Sequence, residues 1–596
     1  MHFTKTIFSS LVNKGGDIIY KSLIHNKVQN MFIYSGGSIM PIIDSLYKSD
    51  IKYYVNSHEQ NCGHAATGYA KSSNKTGVCM VTSGPGITNM ITPLLDATND
   101  STPLVVFSGQ VSLDAQGKNS FQEAPAIELT KPVTKWSYQV KDIHELESVI
   151  NEAFRVANDR KKGSVHIDIP KCVSYQNYNP ITKNFNKYHT KHTKSKQYSR
   201  KEYFKISELI NNSKQPIIYL GQGCNSAASY LTDFALKANI PVTSTIHGCG
   251  IFDENEELSL RWCGMHGSAA ANYAIQDADL VIALGSRFDD RTTGNVSKYA
   301  PKAFEAAKKG EGGIIHVNIE ESELKFVVDS HYNFNTDCTT FLKGIMPFIE
   351  FKKRIKWINY INRLKIGYPF ILKSNDKLLH MEDVINVFNT KTMSKYVIFT
   401  TGVGNHQMQT YQFIKSQYPK KIISSGSLGV MGVGLPYSIG AQIANPDKLI
   451  INIDGDSSFN MTMSDLKTIR ENNLPIKIAI MNNNAQMMVT IWEKLFFNER
   501  YTATLNSNNP DYKALGNSFG IESISCNNRN ELENKIDYFI NYKGPILCEF
   551  NIERDICLPL VKPGCALDDM LLPEDQKYHK DQSRKSNNSM NGLAPS

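Results

Sequence analysis

The sequence predicts an α/β protein of three domains, each built on a parallel sheet. Two observations support this prediction. At 596 residues the chain is much longer than a single hydrophobic core usually grows. Short β-branched runs end in Gly, Ser or Asp and are followed by helical periodicity, which is typical of parallel strands joined by crossover helices. Because this pattern occurs in three separate blocks, we expect three parallel-sheet domains.

The first block covers residues 12–172, and its strand-like runs lie at 78–86, 103–109 and 164–170. Residues 173–202 follow; they are rich in Asn, Lys, Tyr and Thr and have no hydrophobic period, so we interpret them as a linker.

The second block covers residues 203–350, with runs at 216–223, 280–285 and 313–319. A basic connector, 351–379, leads to the third block, 380–569, whose runs lie at 396–402, 449–453 and 476–481. Residues 573–596 are almost wholly polar, and we predict a disordered tail at 570–596.

Composition excludes several classes of protein. The net charge of +8 arises from 65 basic and 57 acidic residues, and much of the excess lies within 183–205, so the charge does not indicate nucleic-acid binding. Eleven cysteines without a CxxC pair suit a reducing compartment. No apolar run approaches the roughly 18 to 20 residues of a membrane span, and the first residues lack a signal peptide's apolar block. We therefore expect a cytoplasmic protein, or one of an organelle stroma or matrix if it is organelle-encoded or targeted.

Two strand ends in the third block carry candidate metal ligands. The run 449–453 leads into Asp454-Gly455-Asp456, and the run 476–481 leads into Asn482-Asn483, with a helix predicted at about 464–471 between them. A right-handed crossover places both ends on one edge of the sheet. Asp456 and Asn483 can therefore offer oxygen ligands to one hard cation, and Mg²⁺ favours such ligands together with phosphates. Taken singly, each motif also fits an ordinary turn or polar loop.

The segment Thr401 to Met408 follows a third strand-like run. It would present backbone N–H groups to the phosphate group that such a cation binds. Taken alone, a histidine in such a position is more often an ordinary loop residue.

Gly455-Asp456 followed after a couple of dozen residues by Asn482-Asn483 resembles the signature of thiamine-diphosphate-dependent enzymes. Ser457 departs from it, since the family has Gly there. The motif His58-Glu59-Gln60 and the later run 82–86 resemble the pyrimidine-binding domain of the same enzymes. The resemblance implies that Glu59 shares a proton with the cofactor's aminopyrimidine ring. Without this context, Glu59 is an ordinary acid of a first helical turn.

The segment 424–436 resembles the family segment whose apolar residue holds the cofactor bent, and Met431 occupies that position. A methionine in a Gly-rich run is also a common core residue. The resemblance further implies that the diphosphate is bound near residues that flank these motifs, namely Val403, Gly404, Asn405, His406 and Met488.

Other segments resemble the acetolactate synthase family in particular. The run 120–123 contains Phe121 and Gln122, which by resemblance line the pocket of the second substrate. The helix 487–493 places Trp492 where the family sizes that pocket, although a tryptophan in core packing is the alternative. Just before it, Ala485, Gln486 and Met487 replace the usual His, Leu and Gly. If the main chain at Ala485 supplies the third metal ligand, as the family implies, this change is tolerable.

The second block resembles the FAD-binding stretches of the same family in two motifs, 263–267 and 285–294. Arg291 would also bind the carboxylate of the incoming keto acid, a task suited to a guanidinium fork. A surface salt-bridge cluster is the alternative for 287–291. The flavin residues implied are Met265, His266, Gly267, Arg287, Asp290, Arg291, Glu320 and Asp337, with Asn318 standing where the family has Asp.

The resemblance covers residues 12–569 and implies an acetolactate synthase. Such an enzyme decarboxylates pyruvate on thiamine diphosphate and joins the hydroxyethyl unit to pyruvate or 2-ketobutyrate, the first common step of branched-chain amino acid synthesis. It implies Mg²⁺ and FAD, a homodimer or homotetramer whose active site combines blocks of two chains, and a possible small regulatory subunit. The alternatives are another thiamine-diphosphate decarboxylase, oxidase or carboligase, and a catalytically inactive homologue.

Overall fold

The computed structural model describes residues 14–47, 49–178, 196–372 and 378–573. These residues form three six-stranded sheets in which every pair of neighbouring strands is parallel, as predicted. The predicted α/β fold class of three parallel-sheet domains is therefore confirmed. The N-terminal residues 1–11 and most of the predicted linker lie outside the described residues.

The first sheet has the strand order β2-β1-β3-β4-β6-β5. Its strands are β1 Asn30–Ile33, β2 Lys52–Val55, β3 Gly77–Val81, β4 Leu104–Gln110, β5 Trp136–Gln139 and β6 Ser164–Pro170. Its helices are α1 Gly15–His25, α2 Met40–Ser45, α3 Glu59–Ser72, α4 Pro85–Thr88, α5 Ile91–Asn99, α6 Ala126–Thr130, α7 Leu146–Asn158 and α8 Lys171–Tyr175.

The second sheet has the order β12-β11-β10-β7-β8-β9. Its strands are β7 Pro216–Leu220, β8 Val242–Ser244, β9 Ser259–Trp262, β10 Leu280–Leu284, β11 Gly313–Asn318 and β12 Tyr332–Asn335. Its helices are α9 Arg200–Asn212, α10 Ala228–Ala238, α11 Ala269–Asp277, α12 Asp290–Thr293, α13 Pro301–Lys308 and α14 Cys338–Ile345, and α15 Ile355–Gly367 lies within the predicted connector.

The third sheet has the order β14-β13-β15-β16-β18-β17. Its strands are β13 Val397–Thr401, β14 Ile422–Ile423, β15 Leu449–Gly455, β16 Lys477–Asn482, β17 Glu522–Cys526 and β18 Ile546–Asn551. Its helices are α16 Met381–Thr392, α17 Asn405–Phe413, α18 Gly434–Ala444, α19 Asp456–Phe459, α20 Leu466–Glu471, α21 Met487–Phe496, α22 Tyr512–Ser518 and α23 Leu532–Asn541.

Short 3₁₀ turns join or extend these elements. They span Lys131–Val133, Ile143–Glu145, Gln222–Ala227, Ile246–Gly248, Val296–Lys298, Glu321–Glu323, Met346–Phe348, Met463–Asp465 and Arg529–Glu531.

An antiparallel pair, β19 Leu560–Val561 and β20 Met570–Leu571, follows the third sheet. The prediction of a disordered tail from residue 570 is wrong at its start, because β20 pairs with β19 and buries Met570. The polar composition of the tail concealed this short apolar pair. Residues 574–596 of that predicted tail lie outside the described residues.

Buried strands explain why the sequence pattern was informative. All seven residues of β4 and all seven of β6 are buried. A parallel strand covered by helices on both faces reads as a nearly continuous apolar run rather than an alternating one. Such runs identified the centre of each sheet.

Helices α3 and α18 join the first and third domains of the same chain. A Cβ at Gly68 would lie 2.5 Å from the Tyr437 Cα, and a Cβ at Gly440 would lie 1.9 Å from the Ala65 carbonyl oxygen. Glycine is therefore required where the two backbones meet. One hydrophobic cluster continues across this contact, with Ala65 and Ala66 on one side and Leu435 and Ile439 on the other.

No helix in the described ranges combines the length and the apolar character that a membrane crossing needs. All eleven cysteines have free thiols.

Candidate active site

The third domain brings the two predicted metal ligands to one edge of its sheet. Strands β15 and β16 are neighbours, with Gly455 opposite Met481. Asp456 begins α19 directly after β15, and Asn483 follows β16 directly. Asp456 is 1% exposed, and burial raises the pKa of its carboxyl. Ala485, also buried, donates its N–H to Asn483 Oδ1 at 3.2 Å, so this loop is folded back on itself.

Two asparagines that the sequence analysis did not select hold this carboxylate. Asn506 Nδ2 and Asn509 Nδ2 donate to Asp456 Oδ2 at 2.8 and 2.7 Å. Asn506 Nδ2 also donates to Ser457 Oγ at 2.6 Å, so the serine that replaces the family glycine has a partner. Two amides therefore fix the orientation of the Asp456 carboxylate. The sequence Asn506-Ser507-Asn508-Asn509 before Pro510 reads as a turn, and nothing in its spacing pointed to Asp456.

A buried acid and a histidine lie behind the metal loop. His406 Nε2 is 3.3 Å from Asp454 Oδ1, and both side chains are buried. A Cβ at Gly402 would lie 2.1 Å from Asp454 Oδ1, and one at Gly455 would lie 2.7 Å from His406 Nδ1. The glycines therefore let the strand ends approach these side chains. This packing fixes the orientation of His406.

Asn405 begins α17, and Gly404 before it has φ +148°, a conformation that favours glycine. Asn405 Nδ2 donates to the Asp555 carbonyl at 3.0 Å. Among the described residues, Asn405 Oδ1, Thr401 Oγ1 and Asp454 Oδ2 are buried without a hydrogen-bond partner. Buried polar atoms without partners are uncommon in native proteins. Their presence around one strand end fits a site that binds a polar cofactor and its cation.

Met431 lies in the loop between β14 and α18. Its neighbours Gly429 and Gly432 have φ values of +72° and +81°. The Gly432 N–H donates to Ser458 Oγ at 2.8 Å, and Thr462 Oγ1 donates to the Gly432 carbonyl at 2.8 Å. The loop is thus tied to the helix that begins with Asp456.

The first domain carries Glu59 on its own edge. Glu59 is the first residue of α3, after His58 as N-cap, and is half-buried. Asn89 Nδ2 donates to Glu59 Oε2 at 3.0 Å. Just before it, the Ser57 N–H donates to Asp465 Oδ1 at 2.8 Å, which ties the start of α3 to the third domain. Glu59 is therefore oriented by one neutral amide.

Phe121 and Gln122 lie near this edge in an unusual conformation. Gln122 has φ +60°, and a Cβ at Gly84 would lie 2.9 Å from its carbonyl oxygen. Phe121 is 88% exposed. A large aromatic side chain this exposed is unusual in a buried pocket, so within one chain the predicted substrate residue faces outward.

Most of the other predicted residues line one cavity of about 1400 Å³ between the three domains. From the second domain these are Met265, His266, Arg287, Asp290, Arg291 and Asp337, and from the third they are Val403, Gly404, Met488 and Trp492. Gly267 and Glu320 are not among its lining residues, whereas Glu323, which was not selected, is. Glu59, Phe121 and Gln122 do not line this cavity either, and no hydrogen bond or ion pair in the described chain joins Glu59 to Asp456.

The cavity wall suits an anionic ligand. Its basic residues outnumber its acidic ones: they are Lys71, Lys75, Arg160, Lys161, Lys162, Arg287, Arg291, Lys420 and Lys448, against Asp289, Asp290, Glu323 and Asp337. Burial lowers the pKa of His266 to about 4, so this imidazole is neutral near pH 7. A neutral imidazole in a wall with an excess of basic residues fits a phosphate-bearing heterocyclic cofactor.

Arg287 and Asn318 are held by protein groups. Arg287 Nη1 donates to the Asn99 carbonyl at 2.8 Å and Nη2 to Ser427 Oγ at 2.5 Å. Asn318 Nδ2 donates to the Ser286 carbonyl at 2.8 Å. Arg287 therefore connects all three domains at the cavity wall.

Three family models match the chain in the order of its sheets. They are the N-terminal TPP binding domain of thiamine pyrophosphate enzymes at residues 13–129, the central domain at 204–345, and the C-terminal TPP binding domain at 402–550. With the strand-end site, these matches define the class: a thiamine-diphosphate-dependent enzyme.

Similar proteins identify the family within this class of enzymes. The chain is 40% identical to the mitochondrial acetolactate synthase catalytic subunit of Saccharomyces cerevisiae, over 94% of this chain and 83% of the yeast protein. It is 38% identical to the mitochondrial acetolactate synthase of Schizosaccharomyces pombe, over 95% and 87%. It is 37% identical to the acetolactate synthase large subunit of Cyanidium caldarium, over 94% and 97%. The chain belongs to the acetolactate synthase family.

Proposed function

We propose that this protein is the catalytic subunit of an acetolactate synthase, joining two 2-keto acids with loss of CO₂. The observation that carries the proposal is the shared cavity, whose lining includes Arg291 and Trp492 together with Met488, His266 and Arg287. A simple decarboxylase needs no site for a second keto acid. The guanidinium of Arg291 and the ring of Trp492 would form such a site in this cavity.

Thiamine diphosphate, when bound, supplies a nucleophilic carbon that adds to the keto acid and accepts the electron pair released with CO₂. Asp456, Asn483 and the carbonyl of Ala485 would hold Mg²⁺ against its diphosphate, and Asn405 and His406 would bind the phosphate oxygens. The buried atoms without partners around Asn405 and Asp454 support this assignment.

Glu59 would hold a proton at the aminopyrimidine ring, and Asn89 keeps its carboxyl in place. Arg291 would bind the carboxylate of the incoming keto acid through its forked donors. Its side chain is 65% exposed, which leaves it accessible from the cavity. Trp492, which packs on Phe496 with ring centroids 5.2 Å apart, would limit the size of the acceptor. The acceptors are pyruvate and 2-ketobutyrate.

The active site combines two chains. Within one chain, Glu59, Gln122 and the exposed Phe121 belong to the first domain and have no described contact with the metal site. Facing the first domain of one chain with the third domain of another brings both halves together. We therefore assign a homodimer, or a homotetramer of such dimers.

FAD fits the second-domain side of the cavity, where Arg287, Asp290 and His266 meet the basic wall. It has a structural role, since the reaction transfers no electrons to an acceptor. Several relatives are named catalytic or large subunits, which supports a separate regulatory partner. The cytoplasm is one possible location. Mitochondrial and chloroplastic relatives support an organelle matrix or stroma as the other.

The test is product analysis of the purified protein with pyruvate, thiamine diphosphate, Mg²⁺ and FAD. Acetolactate is the expected product, with 2-aceto-2-hydroxybutyrate when 2-ketobutyrate is added. Acetaldehyde would indicate a decarboxylase, hydrogen peroxide an oxidase, and no product an inactive homologue. The absorption spectrum of the same sample checks for bound flavin.

A further inference from the structure

The loop that carries Met431 is held from the first domain of the same chain. Ser425 Oγ donates to Asp96 Oδ1 at 2.6 Å and accepts from the Val430 N–H at 3.0 Å. Asp96 belongs to α5 and is fully buried. One hydroxyl therefore connects a helix of the first domain to the residue that precedes Met431.

The same carboxylate also binds the far side of the loop. The Tyr437 hydroxyl, on the first turn of α18, donates to Asp96 Oδ2. Residues before and after Met431 are thus bound to one acid. Because both contacts are buried, the position of this acid fixes the loop more firmly than exposed contacts would.

A second acid, Asp100 at the C-terminal end of α5, supports the start of the loop. Asp100 accepts the N–H groups of Gly426 at 3.0 Å and Ser427 at 2.9 Å, and Lys71 Nζ lies 2.7 Å from its Oδ2. Lys71 Nζ also donates to the Ser424 carbonyl at 3.0 Å. The first half of the loop is therefore fixed by a buried ion pair. In the second half, Ser425 binds Val430 before Met431, and Ser458 and Thr462 bind Gly432 after it.

We infer that Ser425 is a positioning residue of the active site, which transmits the position of Asp96 to Val430 and so sets the place of Met431. This inference rests on the proposed function, in which Met431 keeps the cofactor in its reactive shape. Ser425 is buried at the wall of the cavity, and its hydroxyl contacts Asp96 and Val430.

The test compares Ser425→Thr with Ser425→Val in the full-length protein, because these side chains are nearly equal in volume and differ in the hydroxyl. Ser438→Ala is the control, since Ser438 is buried and its hydroxyl donates within its own helix, to the Leu435 carbonyl at 2.6 Å. Two rates are measured: amide hydrogen exchange of residues 424–431 without cofactor, and deuterium exchange at the thiazolium C2 of bound thiamine diphosphate.

We expect Ser425→Val to speed amide exchange at Val430 about tenfold and to slow C2 exchange about tenfold. Ser425→Thr and Ser438→Ala should stay within about twofold of the wild type in both rates. Binding of thiamine diphosphate should be nearly unchanged in all three, which separates positioning from loss of the fold.

Equal rates for the Thr and Val variants would overturn the inference. If Ser425→Val does not fold, Ser425→Ala replaces it, because it removes the hydroxyl without adding volume. A wild-type protein that takes up no thiamine diphosphate overturns the proposed function instead, and the amide exchange still decides whether Ser425 holds Val430.

Discussion

Asn509 and Asp456 are in direct contact, with the amide nitrogen donating to carboxylate Oδ2 at 2.7 Å. Asp456 begins α19, whereas Asn509 lies in the loop before α22, and Asn506 of that loop donates to the same oxygen. Neutral amide donors orient a carboxylate without cancelling its charge. In the proposed function, these amides would orient the carboxylate before a cation binds.

Replacing Asn509 by alanine should weaken Mg²⁺ binding. Loss of one hydrogen bond to a charged group corresponds to about a tenfold rise in the Mg²⁺ concentration needed for half-maximal cofactor uptake. Uptake can be followed by tryptophan fluorescence during a Mg²⁺ titration. Asn508→Ala is the control, because Asn508 is exposed in the same loop. An unchanged titration for Asn509→Ala would contradict the role given to this amide.

Glu59→Gln should lower acetolactate formation by about 10² to 10³-fold while leaving thiamine diphosphate binding nearly intact. Glutamine preserves the shape and the contact with Asn89 but cannot exchange a proton. Glu147→Gln is the matched control, because Glu147 also lies in a first helical turn, is exposed and belongs to the same domain. Initial rates and equilibrium dialysis measure the two effects. Equal rates for both variants would remove Glu59 from the mechanism.

His166 should make the protein less stable in mild acid. Burial lowers the pKa of this imidazole to about 3, from an unfolded value of 6.5. Between these values the unfolded chain binds the proton and the folded chain does not. The contribution of His166 to the free energy of unfolding is therefore complete above pH 6.5. It decreases as the pH falls, and is about 2 kcal/mol smaller at pH 5.

Urea unfolding at pH 7 and pH 5 checks this expectation. His166→Gln should lose about 2 kcal/mol less than the wild type between the two pH values. The buried carboxyls Asp96 and Asp168, whose pKa burial raises to about 6, act in the opposite direction in both proteins and so cancel. His25→Gln, at an exposed site, should keep the wild-type pH dependence. If the free energy of unfolding of His166→Gln changed with pH as much as that of the wild type, the ring would not be neutral and buried.

Gly440→Ala should destabilise the protein by about 3 kcal/mol or more. The new Cβ would lie 1.9 Å from the Ala65 carbonyl oxygen and 2.5 Å from the Tyr69 nitrogen, and both atoms are backbone. Gly37→Ala should stay within about 0.5 kcal/mol, because a Cβ there meets no atom within 4 Å. Thermal unfolding distinguishes the two, and comparable melting temperatures would mean that α3 and α18 separate easily.

The sequence was sufficient for the sheets and for placing Asp456 and Asn483 at the ends of neighbouring strands, while their binding of a cation stays a prediction. Parallel strands ending in polar residues meet at one sheet edge whatever the details of the loops, so their juxtaposition followed from topology. The contacts made by Asn506 and Ser425 did not follow, because they depend on loop conformations and on which faces of two domains meet. The start of the tail was misjudged for a similar reason, since a two-residue strand has no detectable period.

The close approach of α3 to α18 has a consequence for how the chain can be divided. From the sequence, cleavage in the predicted linker and connector would be expected to release three separate domains. The hydrophobic cluster shared by Ala65 and Leu435 instead makes the first and third domains one discontinuous folding unit, with the second domain as an insertion between its halves. Removing the first or the third domain would expose the apolar face that the other one covers.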